Sequence, residues 1–202
     1  MLPSERYKEL TGKLYVYNIM PIDNISSVVR NGILSFNLAE RIDHQSVAMN
    51  DVQARRSAVR MPDGRSLHDF ANLYFSFWNP MLSKRRGLND KICILALHTS
   101  VLDIDGCVVS DQNAAADLTR FYPAEIGIEQ IDFAKVHAKS WKHDNVYEES
   151  RHKKIKCAEV LVPNCVEPAY IAGANVHSEA AKQKMVENGF LWPIVVEPSV
   201  FF

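Results

Sequence analysis

Residues 155–162 read Ile155-Lys156-Cys157-Ala158-Glu159-Val160-Leu161-Val162, an apolar run with one carboxylate near its middle. If this run is a β-strand, the alternation of side chains directs Glu159 to the same face as Cys157 and Leu161. Ile155 shares that face. Burying an ionised carboxylate there costs free energy unless the group is paired, hydrogen-bonded or beside a cleft. The run therefore predicts either a functional site or an edge strand whose glutamate reaches water.

The composition predicts one domain with one substantial core, since 47% of the 202 residues are hydrophobic. Lys and Arg total 23, Asp and Glu total 24, and the formal net charge is −1. A long-range field cannot then be the main means of attracting a polyanion. Any contact with nucleic acid is expected to come from a local patch.

The cysteine and histidine spacings argue against a metal site. The four cysteines form no C-x-x-C pair, and the seven histidines form no H-x-x-H or H-E-x-x-H arrangement. The N-terminus has no apolar stretch of signal-peptide length, and no segment approaches the roughly 20 apolar residues of a membrane span. We therefore expect a reduced, cytoplasmic protein with no structural metal and no membrane association.

Apolar periodicity and turn residues predict a mixture of strands and helices. No regular strand-helix repeat and no Gly-x-Gly-x-x-Gly or Walker-type loop is present, so the fold class is predicted to be α+β. Helices are expected after Asp23 or Asn24 with Gly32 as the stop, over residues 46–60, 113–121 and 131–138, and from Ser178 to a stop at Gly189. Strands are expected over residues 14–19, 73–77, 91–97, 101–104, 107–109, 155–162, 169–172 and 194–197.

Residues 139–154 are the most irregular part of the predicted structure and combine basic side chains with Trp141 and Tyr147. Such a mixture can neutralise phosphates and stack on bases, or it can be an ordinary solvated loop. Arg55 and Arg56 likewise have two interpretations, as part of a functional site or as part of a solvated helix face. His68, next to Asp69, is expected to be a structural hydrogen-bonding residue. On spacing alone, Tyr17 and Tyr74 would be core aromatics.

Several short motifs occur in an order and spacing that resemble the DarT family, from about residue 14 to residue 161. The most specific is Leu-His-Asp-aromatic followed by Tyr-Phe and Pro-Met-Leu. The motifs are Tyr17-Asn18-Ile19 with Ile22-Asp23-Asn24, Gln53-Ala54-Arg55-Arg56, Leu67-His68-Asp69-Phe70 with Leu73-Tyr74-Phe75, Asn79-Pro80-Met81-Leu82, and Ala158-Glu159.

The resemblance implies a fold and an activity. That family comprises bacterial ADP-ribosyltransferase toxins that use NAD as co-substrate, modify nucleobases, usually in single-stranded DNA, and are restrained by an antitoxin protein. We accordingly expect an ADP-ribosyltransferase-like split β-sheet core with flanking helices, forming a single domain over residues 1–202. Two alternatives stay open: a transferase acting on RNA in a toxin-antitoxin or phage-defence system, and an inactive NAD- or nucleic-acid-binding subunit.

The resemblance also implies roles for individual residues. Glu159 becomes the catalytic acid and Arg56 the second essential group. The NAD-binding residues would be Tyr17, Asn18, Ile19, Asn24, Tyr74 and Met81. The residues that bind the nucleic-acid substrate would be Arg55, Trp141, Lys142, Arg151, Lys153 and Lys154.

Asn18 departs from the family pattern, which usually has His directly after the first-strand Tyr. An amide donates and accepts hydrogen bonds but cannot titrate. We therefore expect Asn18 to hold the cofactor without transferring a proton.

Overall fold

The computed structural model describes residues 1–42, 44 and 50–202. Its strands are β1 (Tyr15–Pro21), β2 (Ile33–Leu34), β3 (Phe70–Tyr74), β4 (Ile92–His98), β5 (Val108–Ser110), β6 (Phe121–Pro123), β7 (Glu159–Pro163), β8 (Cys165–Val166), β9 (Ile171–Val176) and β10 (Ile194–Val196). Its α-helices are α1 (Pro3–Thr11), α2 (Ile25–Asn31), α3 (Phe36–Ala39), α4 (Asn50–Ala58), α5 (Pro80–Ser83), α6 (Ala124–Gly127), α7 (Phe133–Val136), α8 (Val146–Ile155) and α9 (Glu179–Glu187). Single 3₁₀ turns connect several of them.

Eight strands of the described chain form one sheet in the order β10-β9-β4-β1-β3-β7-β5-β6, and β2 pairs with β8 beside it. Neighbouring strands are antiparallel except for the parallel pair β9 and β10. This arrangement mixes helices with a large, mostly antiparallel sheet and confirms the predicted α+β class.

The sheet opens between β1 and β3. Only one pair of residues, Tyr17 and Tyr74, is in register between these two described strands. Strands β1 and β4, by contrast, have seven residue pairs in register, from Tyr15 with His98 to Pro21 with Ile92. Beyond the matched pair, the Asn18 side-chain Nδ2 donates a hydrogen bond to the Asn72 carbonyl at 2.9 Å. A side-chain amide thus bridges the two strands where the backbone ladder stops, and the sheet is split at the position expected to hold NAD.

Strand β7 lies between β3 and β5, so Glu159 is on an interior strand. Glu159 is paired in register with Tyr74, and its exposed fraction is 0%. The alternative of an edge strand with a solvated glutamate is therefore wrong. Tyr74, the register partner of Glu159, packs with Cys157 in one apolar cluster, while Val160 belongs to the main core.

Several predicted elements are confirmed. Strands β1, β4 and β10 lie within a residue or two of their predicted positions. Helix α2 ends at Gly32, whose φ of 75° is one that glycine adopts without strain. The Ser178 hydroxyl accepts a hydrogen bond from the Ala181 N–H at the start of α9, and Gly189 follows that helix with a φ of 83°. Glycine stops and hydroxyl caps were reliable signals because their backbone roles are local.

The segment before Glu159 was predicted wrongly. Residues 155–158 are not a strand: α8 runs to Ile155, and a turn with an Ala158 N–H to Ile155 carbonyl bond precedes β7. The second half of the supposedly irregular segment 139–154 is this helix. It forms because the Asn145 side-chain oxygen caps its first turn and basic residues fill its last turn.

Other boundaries differ as well. No helix covers residues 113–121. The residues before Phe121, where β6 begins, form turns in which the Thr119 hydroxyl bonds to the carbonyls of Asn113 and Ala116. Side-chain bonds of this kind compete with the helical ladder. Residues 101–104 belong largely to a 3₁₀ turn, Thr99–Asp103, rather than a strand.

The strand predicted over residues 73–77 is β3, which ends at Tyr74 because its ladder with β7 ends at Glu159. The helix predicted over residues 131–138 shortens to α7, and the strand predicted over residues 169–172 is β9, displaced toward the C-terminus. Helix α4 occupies the later part of the helix predicted over residues 46–60, whose beginning at residues 46–49 lies outside the described residues. No helix in the described part of the chain has the length and apolar character needed to cross a bilayer.

Candidate active site

Glu159 is held at the start of β7 by three groups from distant parts of the chain. Its Oε1 and Oε2 each lie 3.1 Å from Arg56 Nη1, and the Ala114 N–H donates to Oε1 at 2.9 Å. The Glu159 backbone N–H donates to the Ser110 hydroxyl at 3.1 Å. The carboxylate is thus fixed in one orientation, with its burial offset by an ion pair and a backbone hydrogen bond.

Arg56 reaches Glu159 from the last turn of α4. Its side chain is 10% exposed, and that of Glu159 is 0% exposed. An ion pair this well shielded from water is screened little by salt. The two residues predicted as catalytic are therefore brought together, 103 residues apart in sequence.

Arg56 lines a cavity of about 570 Å³, whose wall includes residues of both β1 and β3 on either side of the split. Glu159 does not belong to its described lining and contacts it through Arg56. Of the residues predicted to bind NAD, five line it: Asn18, Ile19, Asn24, Tyr74 and Met81. Tyr17 is not part of that lining. It faces a second cavity of about 330 Å³ and packs edge-to-face on Phe77, with ring centroids 4.8 Å apart.

Positive charge dominates the wall of the larger cavity. Among its described lining residues, Asp117 is the one carboxylate, and the cations are Arg55, Arg56, Lys84, Arg85, Lys153 and Lys154. Burial lowers the pKa of the Arg85 guanidinium, whose Nη1 donates to the Met81 carbonyl at 3.2 Å. A cavity with these charges is suited to an anionic ligand.

Burial, and then the charge of Glu159, raises the pKa of the Tyr74 hydroxyl, so this tyrosine stays protonated at neutral pH. Burial also raises the pKa of the Cys157 thiol to about 12, again with a contribution from Glu159. Neither group is therefore available as an anionic nucleophile near neutral pH.

The residues predicted to bind nucleic acid fall into two groups. Arg55, Lys153 and Lys154 line the larger cavity. Trp141 lies elsewhere, with its ring 5.7 Å from that of Phe202, and Lys142 and Arg151 are exposed side chains outside that lining. The structure therefore brings together only the helical end of the predicted substrate-binding segment.

His68 differs from its prediction as a structural hydrogen-bonding residue. Its ring stacks on Phe36 at 4.1 Å, and its buried Nε2 has no hydrogen-bond partner in the described structure. Burial, and then the charge of Arg56, lowers its pKa. Asp69 has the bonding role instead, accepting from Asn37 Nδ2 at 2.6 Å and from the Ser66 N–H at 3.0 Å.

Sequence reasoning missed several residues of the site. Lys84 and Arg85 carried a signal, because they belong to a basic run that begins one residue after Pro80-Met81-Leu82. Ser110 and Ala114 carried none, because one is an ordinary strand serine and the other acts through its backbone N–H. No group of His, Cys, Asp and Glu side chains within the described ranges is arranged to hold a metal ion.

Comparison with known proteins agrees with this geometry. The chain matches, over residues 17–202, the family described as "ssDNA thymidine ADP-ribosyltransferase, DarT". It is 35% identical over 206 residues to a "DNA ADP-ribosyl transferase-DNA ADP-ribosyl glycohydrolase fusion protein" of Thermosipho africanus (strain H17ap60334), covering 98% of this chain and 50% of the relative. The chain therefore spans about half the length of that relative. A DNA ADP-ribosyl transferase of Thermus sp. (strain 2.9) is 26% identical, with 85% of each chain covered.

Solved structures show the same fold. The Thermosipho africanus DarTG structure with ADP-ribose superposes with a TM-score of 0.82 at 31% identity, covering 94% of this chain and 51% of the other. The Thermus sp. 2.9 DarT structure with ADP-ribosylated single-stranded DNA gives a TM-score of 0.81 at 21% identity, covering 94% and 96%. With a family match over most of its length and a relative above 30% identity, this chain belongs to the DarT family of ADP-ribosyltransferases.

Proposed function

We propose that this protein transfers ADP-ribose from NAD to a nucleobase, thymine first among the candidates, in single-stranded DNA. The observation that carries the proposal is the buried pair of Glu159 and Arg56 beside a cationic cavity in a split sheet. A fixed carboxylate behind such a cavity can stabilise positive charge that develops on a bound sugar.

The larger cavity fits NAD in size, charge and hydrogen-bonding capacity. Its volume of about 570 Å³ lies within the range typical of small-molecule sites, about 300–1,000 Å³. Its cations suit a pyrophosphate. The Asn18 Oδ1 and Gln53 Oε1 atoms are buried acceptors without a partner among the described residues, and both side chains line this cavity. Buried acceptors of this kind are expected to receive hydrogen bonds from a ligand.

The reaction exchanges one glycosidic bond for another. The bond between C1′ of the ribose and the nicotinamide nitrogen breaks, and the electron pair leaves with nicotinamide. A new bond forms between C1′ and a ring nitrogen of the base, which loses its proton to solvent. Positive charge accumulates on the sugar in the transition state, as in glycoside hydrolysis. Glu159 lowers the barrier because its charge favours that state over the ground state.

Arg56 is proposed to face the acceptor base. It lines the cavity while its Nη1 atom binds Glu159, so one guanidinium can orient the carboxylate and stabilise the base as its proton is lost. A base paired in a duplex hides its reactive edge, which favours an unpaired acceptor. The family description points to thymidine in single-stranded DNA, and it disfavours the RNA alternative.

We also propose that a protein which removes or blocks this modification restrains the enzyme. The Thermosipho relative joins a DNA ADP-ribosyl transferase to a DNA ADP-ribosyl glycohydrolase in one polypeptide, and this chain covers half of it. A separate glycohydrolase antitoxin would serve the same purpose.

The free thiols of Cys93, Cys107, Cys157 and Cys165 suit a reducing compartment such as the cytoplasm.

Mass spectrometry of matched DNA and RNA oligonucleotides, incubated with protein and NAD, tests the proposal. We expect one added ADP-ribose on thymidine-containing DNA, with fragmentation placing it on the base. Glu159→Gln should lower the rate by at least about 100-fold, since it removes the charge that stabilises the sugar cation. The matched control is Glu187→Gln, an exposed glutamate on α9. Labelling of RNA alone, or an unchanged rate in Glu159→Gln, would contradict the proposal.

A further inference from the structure

The second cavity has a composition unlike that of an ordinary surface depression. Its volume is about 330 Å³, and no residue that the structure describes lines both it and the larger cavity. It is lined by residues at the start of β1, residues that follow β3 and residues that follow α7. Its described lining residues are Lys13, Tyr17, Phe75, Ser76, Phe77, Trp78, His137, Ala138 and Lys139.

Aromatic rings form much of its wall and are held in place by contacts with one another, with the Lys139 backbone and with Phe202. Tyr17 packs edge-to-face on Phe77. The Trp78 indole N–H donates to the Lys139 carbonyl at 3.0 Å, and its ring stacks on Phe202 at 4.1 Å. Ordered rings of this kind give a platform on which a flat heterocycle can stack, and they lose little conformational entropy on binding.

The charge of the cavity is positive. Lys13 and Lys139 are exposed side chains of its lining, and no carboxylate belongs to the part of the lining that the structure describes. His137 adds no charge at neutral pH: burial, together with Lys13 and Lys156, lowers its pKa to about 4. Two lysines beside aromatic rings are the combination that binds a phosphate next to a stacked base.

The walls of the two cavities adjoin. Tyr17 of the second cavity is the register partner of Tyr74 of the first, and paired residues of antiparallel strands have Cα atoms about 5 Å apart. Phe75 of the second cavity follows Tyr74 directly in sequence, just after β3 ends. These adjoining walls are the basis for placing neighbouring nucleotides of one strand in the two cavities.

We propose that the second cavity binds an unpaired base that neighbours the modified one in the acceptor strand, with Tyr17, Phe77 and Trp78 as its stacking wall and Lys13 and Lys139 on its phosphate. This inference rests on the proposed function and assigns Tyr17 to the acceptor strand instead of NAD. It predicts that the enzyme holds the base beside the target through stacking, with a weak preference for the identity of that base.

Two measurements test the inference. In the first, 2-aminopurine replaces each neighbour of the target thymidine in turn, and its fluorescence is recorded on addition of protein. Quenching at one position, reduced in Phe77→Leu, is expected because stacking quenches this base. Quenching at no position would overturn the inference.

In the second measurement, Lys13→Ala/Lys139→Ala is expected to raise the KM for a long oligonucleotide by about 5- to 20-fold while changing the KM for NAD less than twofold. The control pair is Lys91→Ala/Lys182→Ala, surface lysines that line neither cavity. An unchanged oligonucleotide KM in an active enzyme would refute the second cavity alone. Failure of the parent protein to modify any oligonucleotide would instead refute the proposed function, and the 2-aminopurine signal would still report binding.

Discussion

Arg56 meets both carboxylate oxygens of Glu159 with a single nitrogen, Nη1, at 3.1 Å from each. A fork-to-fork arginine-carboxylate pair uses two nitrogens for two oxygens. The arrangement here commits one end of the guanidinium to Glu159, and the side chain still contributes to the cavity wall. One residue can therefore fix the Glu159 carboxylate and contact a ligand in the cavity.

Arg56→Lys is expected to separate these two roles. A lysine ammonium can keep the charge beside Glu159, but it lacks the planar set of donors that could reach an acceptor base at the same time. We expect kcat for DNA modification to fall at least about 10-fold, with the KM for NAD and the melting temperature changed little. Full activity of Arg56→Lys would show that charge alone is required. Arg56→Ala should also lose stability, because it leaves a buried carboxylate without its cation.

Ser110→Ala tests the hydrogen bond that holds the backbone of Glu159. The Ser110 hydroxyl accepts the Glu159 backbone N–H at 3.1 Å and donates to the Gln112 carbonyl at 2.7 Å, and Ser110 is 0% exposed. Leaving the buried N–H of Glu159 unsatisfied should cost about 1–3 kcal/mol of the free energy of unfolding, measured with urea. Ser57→Ala, an exposed serine bonded to the Ala54 carbonyl, is the control and should change stability by less than about 0.5 kcal/mol.

Asn18 offers a direct comparison with the usual family residue. Its Nδ2 bridges to the Asn72 carbonyl, and its Oδ1 is buried without a partner in the described structure. Asn18→Asp removes the donor and adds a negative charge beside the cavity, so we expect the KM for NAD to rise at least about 10-fold.

Asn18→His should retain activity within about threefold if the position only holds the cofactor, since a neutral imidazole can also donate to the Asn72 carbonyl. Kinetics with NAD as the varied substrate would measure both variants. A large gain of activity in Asn18→His would instead indicate that proton transfer at this position had been lost.

Resemblance predicted the split sheet and the pair of Glu159 and Arg56, whereas local patterns predicted single strands and the unusual position of Glu159. Periodicity identified β1 and β4, and an acid inside an apolar run identified Glu159. The partnership of Glu159 with Arg56, and its chemistry, came from resemblance, because 103 residues separate the two and no local rule connects them. Contacts between distant segments follow from the tertiary fold, which single-sequence patterns do not specify.

The errors have a shared physical origin. Residues 155–158 and 113–121 are short, partly apolar segments whose spacing suits more than one structure. Backbone hydrogen bonds that continue from the end of α8 hold residues 155–158 in a turn, and the Thr119 hydroxyl holds the turns of the second segment. Ala114 could not be found at all, because its contribution to Glu159 is a backbone N–H whose direction depends on those turns.

Gly32 and Gly12 form a matched pair for stability. Both have positive φ, of 75° and 67°, but a Cβ at Gly32 would lie 2.1 Å from the Val166 carbonyl oxygen, whereas a Cβ at Gly12 would have no atom within 4 Å. The ψ of Gly32 is −170°, a combination that is essentially restricted to glycine.

We expect Gly12→Ala to lower the free energy of unfolding by about 1 kcal/mol through backbone strain alone. Gly32→Ala should lower it by about 3 kcal/mol or more, because it adds a steric clash to that strain. Urea denaturation measures both variants. If both variants lost the same unfolding free energy, the backbone around Gly32 and Val166 would be able to shift and accommodate the added methyl group.

Lys156 carries a buried charge close to the active site, and its effect on stability depends on pH. Its Nζ donates to the Val136 and Ala138 carbonyls at 2.8 Å each, and its exposed fraction is 0%. Burial lowers its pKa from 10.5 to about 8. Between these two values the unfolded chain binds more protons at this position than the folded protein does.

The unfolding free energy of the parent protein, relative to Lys156→Met, should therefore increase as pH rises from about 8 to 10.5. The neutral amine still has two N–H donors for the two carbonyls, so deprotonation removes the cost of burying charge without breaking these bonds. Urea denaturation at intervals across this range measures the difference, and groups that titrate in both proteins cancel. Lys91→Met, at an exposed lysine, gives the baseline for the same replacement. If this difference in unfolding free energy does not change across this pH range, the Lys156 ammonium is hydrated in the folded protein. The carbonyls of Val136 and Ala138 would then not be bound by a buried cation.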